Sequence, residues 1–374
     1  MKLVALQKNL RQGVFVTSNI TGKNKLPILN NLLLSASNGV IKLLATDLEI
    51  GITNIIRGKI EKEGAFTVDA KVLSNYINLL PNQKVELEVK DSQLIVESDN
   101  YKTKIKGEPV DDYPLIPELN KDNYYSVNAE EFKKAVASVV FAVSGDESRL
   151  ALSGVLLAIE GDKLTMAGTD SYRLAEKITK VKTVGQEAGE RRVIIPTKTL
   201  QELLRITSGD YSDEQNEEEI KIYLNDNQAA FRFDSVEIIS RLIDEQYPDY
   251  RQIIPQNFKT KVEVDKQELI RAVKAASIFS KAGINDINLD FLQNRGQLTV
   301  SAISGQTGES LINLAAKIEG GDNSVTVNYR YLLDGLNNIL SDKVVLGLNT
   351  SANPVVIKPV GDASYTYLVM PIRG

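Results

Sequence analysis

The chain has no cysteine and no histidine among its 374 residues. That excludes disulfides, thiolate nucleophiles, imidazole bases and zinc sites of the usual ligands. Catalysis, if present, would rest on carboxylates, lysine or hydroxyls. No apolar run approaches the roughly 20 residues of a membrane-spanning helix, and the opening Met1-Lys-Leu-Val lacks the apolar segment of a secretory leader. A cytoplasmic chain with no membrane partner is expected, and no cofactor or metal is implied. A strong charge of one sign is missing too: 44 basic residues face 49 acidic ones, a formal net charge of −5. The acidic excess falls in residues 123–255, with 23 acidic and 16 basic side chains, and much of it lies in 210–219, read as a solvated loop. Such a balance disfavours tight DNA binding by neutralisation of many phosphates. A loose, sequence-blind contact stays open.

What the chain has is repetition. A strand ending at a polar residue, followed by a helix with an apolar anchor, occurs at Leu10 with Val14, at Phe132 with Val136, and at Leu269 with Val273. The spacing exceeds the roughly 20 to 50 residues of solenoid repeats and matches common domain sizes. A Thr46-Asp47 strand end recurs as Thr169-Asp170, with Ser304-Gly305 in the third copy. A second helix start recurs at Leu73, Leu200 and Leu332. Proline-containing phrases then close the copies at 112–117, 246–255 and 368–371. Three tandem domains are expected: 1–122, 123–255 and 256–374.

Between the helices the pattern alternates over short runs such as 40–45, 85–89, 94–97, 221–224 and 344–348, separated by Gly, Asn and Asp turns. The fold class is α+β, with two helices per copy packed on antiparallel sheets. Asn128 with Glu131, and Asp265 with Glu268, have the spacing of a helix cap and its partner.

The second helices carry polar residues at i, i+4 and i+7: Lys71, Asn75, Asn78; Lys198, Glu202, Arg205; and Arg330, Asp334, Asn337. The expected core side is Leu73, Ile77, Leu80; Leu200, Leu203, Leu204; and Leu332, Leu336, Leu340. The first helices add Lys8, Arg11 and Gln12; Lys133 and Lys134; and Arg271 and Lys274. For one helix this is an ordinary solvated face; six alike suggest a shared surface. Asp47, Asp170 and Glu49 could serve as acid and base, but a repeated Thr-Asp at a strand end is more often a turn device.

Several segments resemble a known family: 26–34 (LPILNNLLL), 46–49 (TDLE), 169–175 (TDSYRLA), 247–250 (YPDY), 327–332 (VNYRYL) and 369–373 (VMPIR). In this order, end to end, they resemble the bacterial sliding clamps, the beta subunits of replicative DNA polymerase III. The resemblance implies three copies of a DNA-clamp domain per chain, a head-to-tail homodimer closing a six-domain ring around duplex DNA, and no catalytic site. Lys23, Arg149 and Lys198 match family positions close to DNA, and with them Lys71, Lys133, Lys134, Arg205, Arg271, Lys274 and Arg330 are candidates to face the duplex without reading its sequence.

The resemblance also implies a hydrophobic cleft that takes short linear peptides from the replicative polymerase, the clamp loader and repair proteins. Matching positions are Leu152, Thr169, Arg173, Leu174, Pro248, Asn328, Tyr331, Val369, Met370, Pro371 and Arg373. Ser171, Tyr172, Ile253, Ile284, Ala352, Pro354 and Ile372 are further candidate lining. Ser171 and Tyr172 depart from the family's small residue and histidine, Gln252 stands where a basic residue is frequent, and the chain closes on Gly374. Candidate dimer contacts by position are 71–80 and 102–106 on one side and 270–303 on the other. The rival reading is a repeat-built scaffold that binds no nucleic acid.

Overall fold

The computed structural model describes residues 1–22, 26–116, 119–146, 148–185, 189–209 and 218–372. Lys23, Arg373 and most of the 210–219 stretch lie outside the described residues. Six α-helices are described: α1 (Gln7–Ser18), α2 (Ala70–Leu79), α3 (Ala129–Val140), α4 (Thr197–Thr207), α5 (Lys266–Ser277) and α6 (Tyr329–Asn337). None is long and apolar enough to cross a membrane. The chain forms two compact units, one of Met1–Glu130, Lys182–Ala188 and Lys198–Leu242, the other of Glu131–Val181, Gly189–Thr197 and Ile243–Gly374.

In the first unit, fourteen antiparallel strands form one continuous hydrogen-bonded order. Leu10 and Val14 of α1, one turn apart, bury against Leu32, Leu34 and Leu43 from strands and against Leu73 and Ile77 of α2. Burying each such side chain is worth about 1.5–3 kcal/mol. Asp69 caps α2, accepting a hydrogen bond of 2.7 Å from the Val72 amide. At its other end the buried Gln7 donates to the Ile77 carbonyl at 2.8 Å. One of the carbonyls that every helix end leaves unpaired is thereby satisfied.

In the second unit a nine-stranded and a four-stranded sheet carry the fold. Leu269 and Val273 of α5 and Leu332 and Leu336 of α6 are buried. Asp265 caps α5 through the Glu268 amide at 2.8 Å, as its spacing predicts. Lys266, at the place Gln7 holds in the first repeat, donates to the Ile339 carbonyl at 2.6 Å. An unrelated side chain thus ties the start of the first helix to the chain just past the end of the second. One expectation fails: Leu340 is 81% exposed. Because α6 ends at Asn337, the helical register that would carry Leu340 to the core stops before it.

Successive repeats are joined by strand pairing. Within the first unit Ile50–Ile56 pairs with Val236–Arg241, and within the second Arg173–Lys180 pairs with Tyr365–Val369.

Candidate functional site

The two Thr-Asp phrases build the same turn. Asp47 Oδ1 accepts from the Glu49 and Ile50 amides at 3.0 and 2.8 Å, and Asp170 Oδ1 accepts from Tyr172 and Arg173 at 2.9 and 3.0 Å. The threonine hydroxyls donate to Ile50 and Arg173 carbonyls. Leu48 and Ser171 take positive φ, 78° and 80°. Both aspartates are therefore engaged in holding a turn, as the sequence suggested.

A linker with a Tyr-Pro pair crosses the sheet at each junction between repeats. Tyr113 donates to the carbonyls of Asn31 and Leu44 at 3.3 and 3.5 Å, and Tyr247 donates to Ala167 at 3.1 Å. Leu44 and Ala167 occupy the same strand position relative to their Thr-Asp turns. Tyr250 reaches Glu176 Oε2 at 2.6 Å and stands edge-on to Tyr247, with centroids 6.2 Å apart.

At the second junction most of the proposed cleft residues converge. Leu174 belongs to an apolar cluster with Leu156, Tyr247, Tyr250 and Leu368, and Met370 packs against it. The Met370 amide donates to the Tyr172 carbonyl at 2.8 Å, Arg173 pairs with Val369, and Pro371 bridges to Val327. Tyr172, 57% exposed, stacks on Tyr331 at 6.2 Å. The Arg173 guanidinium lies 4.8 Å from the Tyr331 ring and bonds Asp170 and Asp334. Burial opposes its charge, but Tyr367 and the two carboxylates outweigh that and hold its pKa above the ordinary value. Burial, assisted by Asp170, raises Tyr331 in turn, so it is a neutral hydroxyl at physiological pH. An apolar floor with a fixed cation and a stacked aromatic pair at its edge suits a peptide with apolar and polar side chains.

The remaining cleft candidates sit around this centre. Asn328 caps α6 through the Arg330 amide at 2.9 Å, and the Ile372 amide donates to Thr326 at 2.8 Å. Pro354 is buried just before Val355, which pairs with Val369. The Leu152 carbonyl accepts from the Ser144 amide, and the neighbouring Ala151 packs on the apolar cluster. Pro248 lies between Tyr247 and Tyr250 in the linker, whereas Ile253 is exposed at the end of a short 3-10 helix and Ile284 and Ala352 are exposed turn residues. Asp334 and Phe141, which the sequence pattern did not assign to the cleft, belong beside Arg173. The polar i+4 place of Asp334 on α6 was the available signal.

The first junction shows what divergence has done to the equivalent place. The Arg241 amide donates to the Glu49 carbonyl, so Arg241 stands where Met370 does and Glu49 where Tyr172 does, and the two side chains form an ion pair at 3.6 Å. Gly51 replaces Leu174, and the Ile116 side chain lies over it.

Of the basic candidates, Lys71, Lys134, Arg149, Lys198, Arg271, Lys274 and Arg330 are exposed and Lys133 is half-buried. Lys198 pairs with Asp47, Lys134 with Glu131 at 3.6 Å and Arg149 with Asp146 at 3.9 Å. Lys71, Arg271 and Lys274 have no side-chain partner among the described residues. Arg205 departs from expectation. It bonds buried Glu202 at 2.8 Å and donates to the Phe15 and Val16 carbonyls at 3.0 and 2.9 Å. Its guanidinium closes the carbonyl end of α1 and stacks 4.6 Å from Phe15, so Glu202 and Arg205 are not an open polar face. A buried carboxylate needs a paired cation, and Arg205 supplies it.

Among the sheet edges of the described residues, two bear on assembly. Tyr101–Glu108 pairs along its length with Gln93–Ser98, but on its other side only through Gly107 and Glu108. Gly308–Ala315 ends the four-stranded sheet, beside exposed Ile303 and Leu311. This second edge lies beyond the 270–303 range suggested by position.

The chain matches family models described as the N-terminal, central and C-terminal domains of the DNA polymerase III beta subunit, over residues 3–117, 126–249 and 251–373. It is 31% identical to the beta sliding clamp of Synechococcus elongatus, covering 100% of this chain and 99% of that protein. It is 30% identical to the beta sliding clamp of Staphylococcus aureus, covering 95% and 94%. Among solved structures it resembles the DNA polymerase sliding clamp of Bacillus subtilis, with a TM-score of 0.92 and 27% identity over 100% of this chain and 99% of the other. The DNA polymerase III beta subunit of Thermotoga maritima matches with a TM-score of 0.91 and 25% identity over the same shares.

Proposed function

The chain belongs to the DNA polymerase III beta-subunit family, the sliding clamps, and on that premise we propose that two copies close head to tail around duplex DNA and tether the replicative polymerase. The observation that carries this reading is the match of three consecutive clamp domains over the whole chain. We take the domains as 1–122, 123–255 and 256–374. Each has two helices on antiparallel sheets, so dimerisation yields six domains and twelve helices.

A ring replaces affinity with topology. Contacts to phosphate hold a protein near DNA without reading bases, and few of them are needed once the duplex is enclosed, which reconciles a net charge of −5 with a DNA partner. Lys71, Lys133, Lys134, Arg149, Lys198, Arg271, Lys274 and Arg330 are the residues we assign to the duplex side, with Lys23. Arg205 leaves this set because each of its three guanidinium nitrogens is already engaged within the protein.

Closure needs complementary ends. The open edge of Tyr101–Glu108, with Lys102, Lys104 and Lys106, and that of Gly308–Ala315, with Glu309 and Leu311, suit strand pairing between subunits. The cleft around Leu174, Tyr172, Arg173, Tyr331 and Met370 takes linear peptides of the polymerase, clamp loader and repair proteins. No catalytic role is assigned to Asp47 or Asp170, whose Oδ1 atoms hold backbone turns. Work on replicating DNA places the protein in the cytoplasm. A polymerase extension assay with the loader tests the tether: long products that require this chain support it, and products of unchanged length contradict it.

A further inference from the structure

The third repeat contains a pocket of about 620 Å³ on the sheet face crossed by the linker, lined by Phe258, Lys261, Val345, Gly347, Val356 and Lys358, with the 359–363 turn at its mouth. The second repeat shows why it exists. There, counting back from the first helix of the repeat, Tyr124 and Tyr223 occupy the equivalent strand positions, with rings 5.6 Å apart, and Tyr223 is buried. In the third repeat Lys261 stands at the place of Tyr124 and Gly347 at that of Tyr223, and the two are register partners. The floor continues across the sheet from Gly347 to Val356 as it does from Tyr223 to Ala230. Neither tyrosine of the second repeat has a counterpart at these two positions. A Cβ on Gly347 would meet the Phe258 ring at 2.7 Å, so Phe258 itself covers Gly347 in the place of Tyr223, and the free volume lies beside its ring.

The charges at the rim are unequally satisfied. Glu263 is held by Lys343 at 3.1 Å and Asp362 by Lys177 at 2.7 Å. Lys261 and Lys358 have no side-chain partner among the described residues. The pocket therefore offers an apolar body, one aromatic wall and two uncommitted ammonium groups. Its volume falls in the range of small-molecule sites, about 300–1,000 Å³.

We propose that this pocket binds a small aromatic carboxylate, its ring against Phe258, Val345 and Val356 and its carboxylate between Lys261 and Lys358. None of the residues lining the pocket is among those assigned to the peptide cleft, so the proposal stands independently of the function assigned above.

N-acetyl-tryptophan titrated into the full chain, followed by calorimetry at low salt, is the test. Saturable binding of one molecule per chain is expected, with N-acetyl-tryptophanamide bound about tenfold more weakly because it lacks the charge-assisted contact. Gly347→Tyr, whose side chain would have to push the Phe258 ring into the pocket, should abolish binding. The K261Q/K358Q double variant should lower affinity by about tenfold or more by the same contact energy, and it decides the question if Gly347→Tyr does not fold. Met370→Ala should bind as the parent does. No saturable binding, equal affinity for the amide and the acid, or unchanged affinity in the lysine double variant overturns the proposal.

Discussion

The guanidinium of Arg173 lies 4.8 Å from the centroid of the Tyr331 ring, on which Tyr172 also stacks. Arg173 is thereby fixed between Asp170 of its own turn and Asp334 of α6. Its side chain is 12% exposed, so removing it strands the largely buried Asp170 carboxylate, while half-exposed Asp334 keeps its contact with water. Arg173→Ala should cost about 2–3 kcal/mol of unfolding free energy and weaken peptide binding. Met370→Ala should weaken peptide binding with a smaller loss of stability, since Met370 is only half-buried at the cluster edge. Urea denaturation and peptide titration of both variants check this, and equal peptide affinity in Met370→Ala contradicts the cleft.

Arg205 makes a different prediction from the other basic residues. Arg205→Ala removes two bonds to the end of α1 and leaves buried Glu202 without its cation, a loss of about 1–3 kcal/mol. Lysine should rescue only part of that, because one ammonium cannot reproduce the planar fork. The salt dependence of DNA association should not change.

Charge reversal at Lys71, Arg271 and Lys274, which have no side-chain partner among the described residues, should do the reverse. Stability should hold within about 0.5 kcal/mol per surface substitution, while low-salt DNA association falls. The slope of log affinity against log salt should drop by roughly 0.9 for each phosphate no longer neutralised. An unchanged slope would remove these residues from the duplex side.

Alkaline unfolding should reflect the linker tyrosines. Burial pushes Tyr113 up to about 12, and burial also raises Tyr247, Tyr250 and Tyr365. A pKa raised on folding means the unfolded chain loses its protons first, so the contribution is complete below about pH 10, the ordinary tyrosine value. It is lost as pH climbs toward 12. Tyrosinate absorbance of the folded chain should lag that of the denatured chain, and Tyr113→Phe should flatten the pH dependence of stability in that window.

Introducing arginine at both Ile303 and Leu311 should yield monomers in sedimentation while leaving the circular dichroism spectrum unchanged, because both side chains are exposed. Dimers that persist would place the subunit contact elsewhere than the Gly308–Ala315 edge.

Much of this organisation was legible in the chain. Repetition, helix starts and the Thr-Asp turns depend on local patterns, and Asp47 and Asp170 bond the backbone as their neighbours in sequence suggest. The failures were long-range. Amphipathic spacing alone makes Glu202 and Arg205 a solvated face, whereas α1, nearly 200 residues earlier in the sequence, turns them inward. Leu340 kept a helical register that the helix itself does not. The open edge at Gly308–Ala315 is a property of which strand lacks a neighbour, and composition carries no trace of that. The pocket at Gly347 emerges only when two repeats are laid over one another by strand register.

Retention on DNA after loading tests the central claim most directly. Loaded onto closed circular duplex, the protein should remain bound through gel filtration at salt concentrations that screen weak phosphate contacts, and a single linearising cut should release it. Equal retention on circular and linear DNA, or none on either, would contradict a ring that holds DNA by enclosing it.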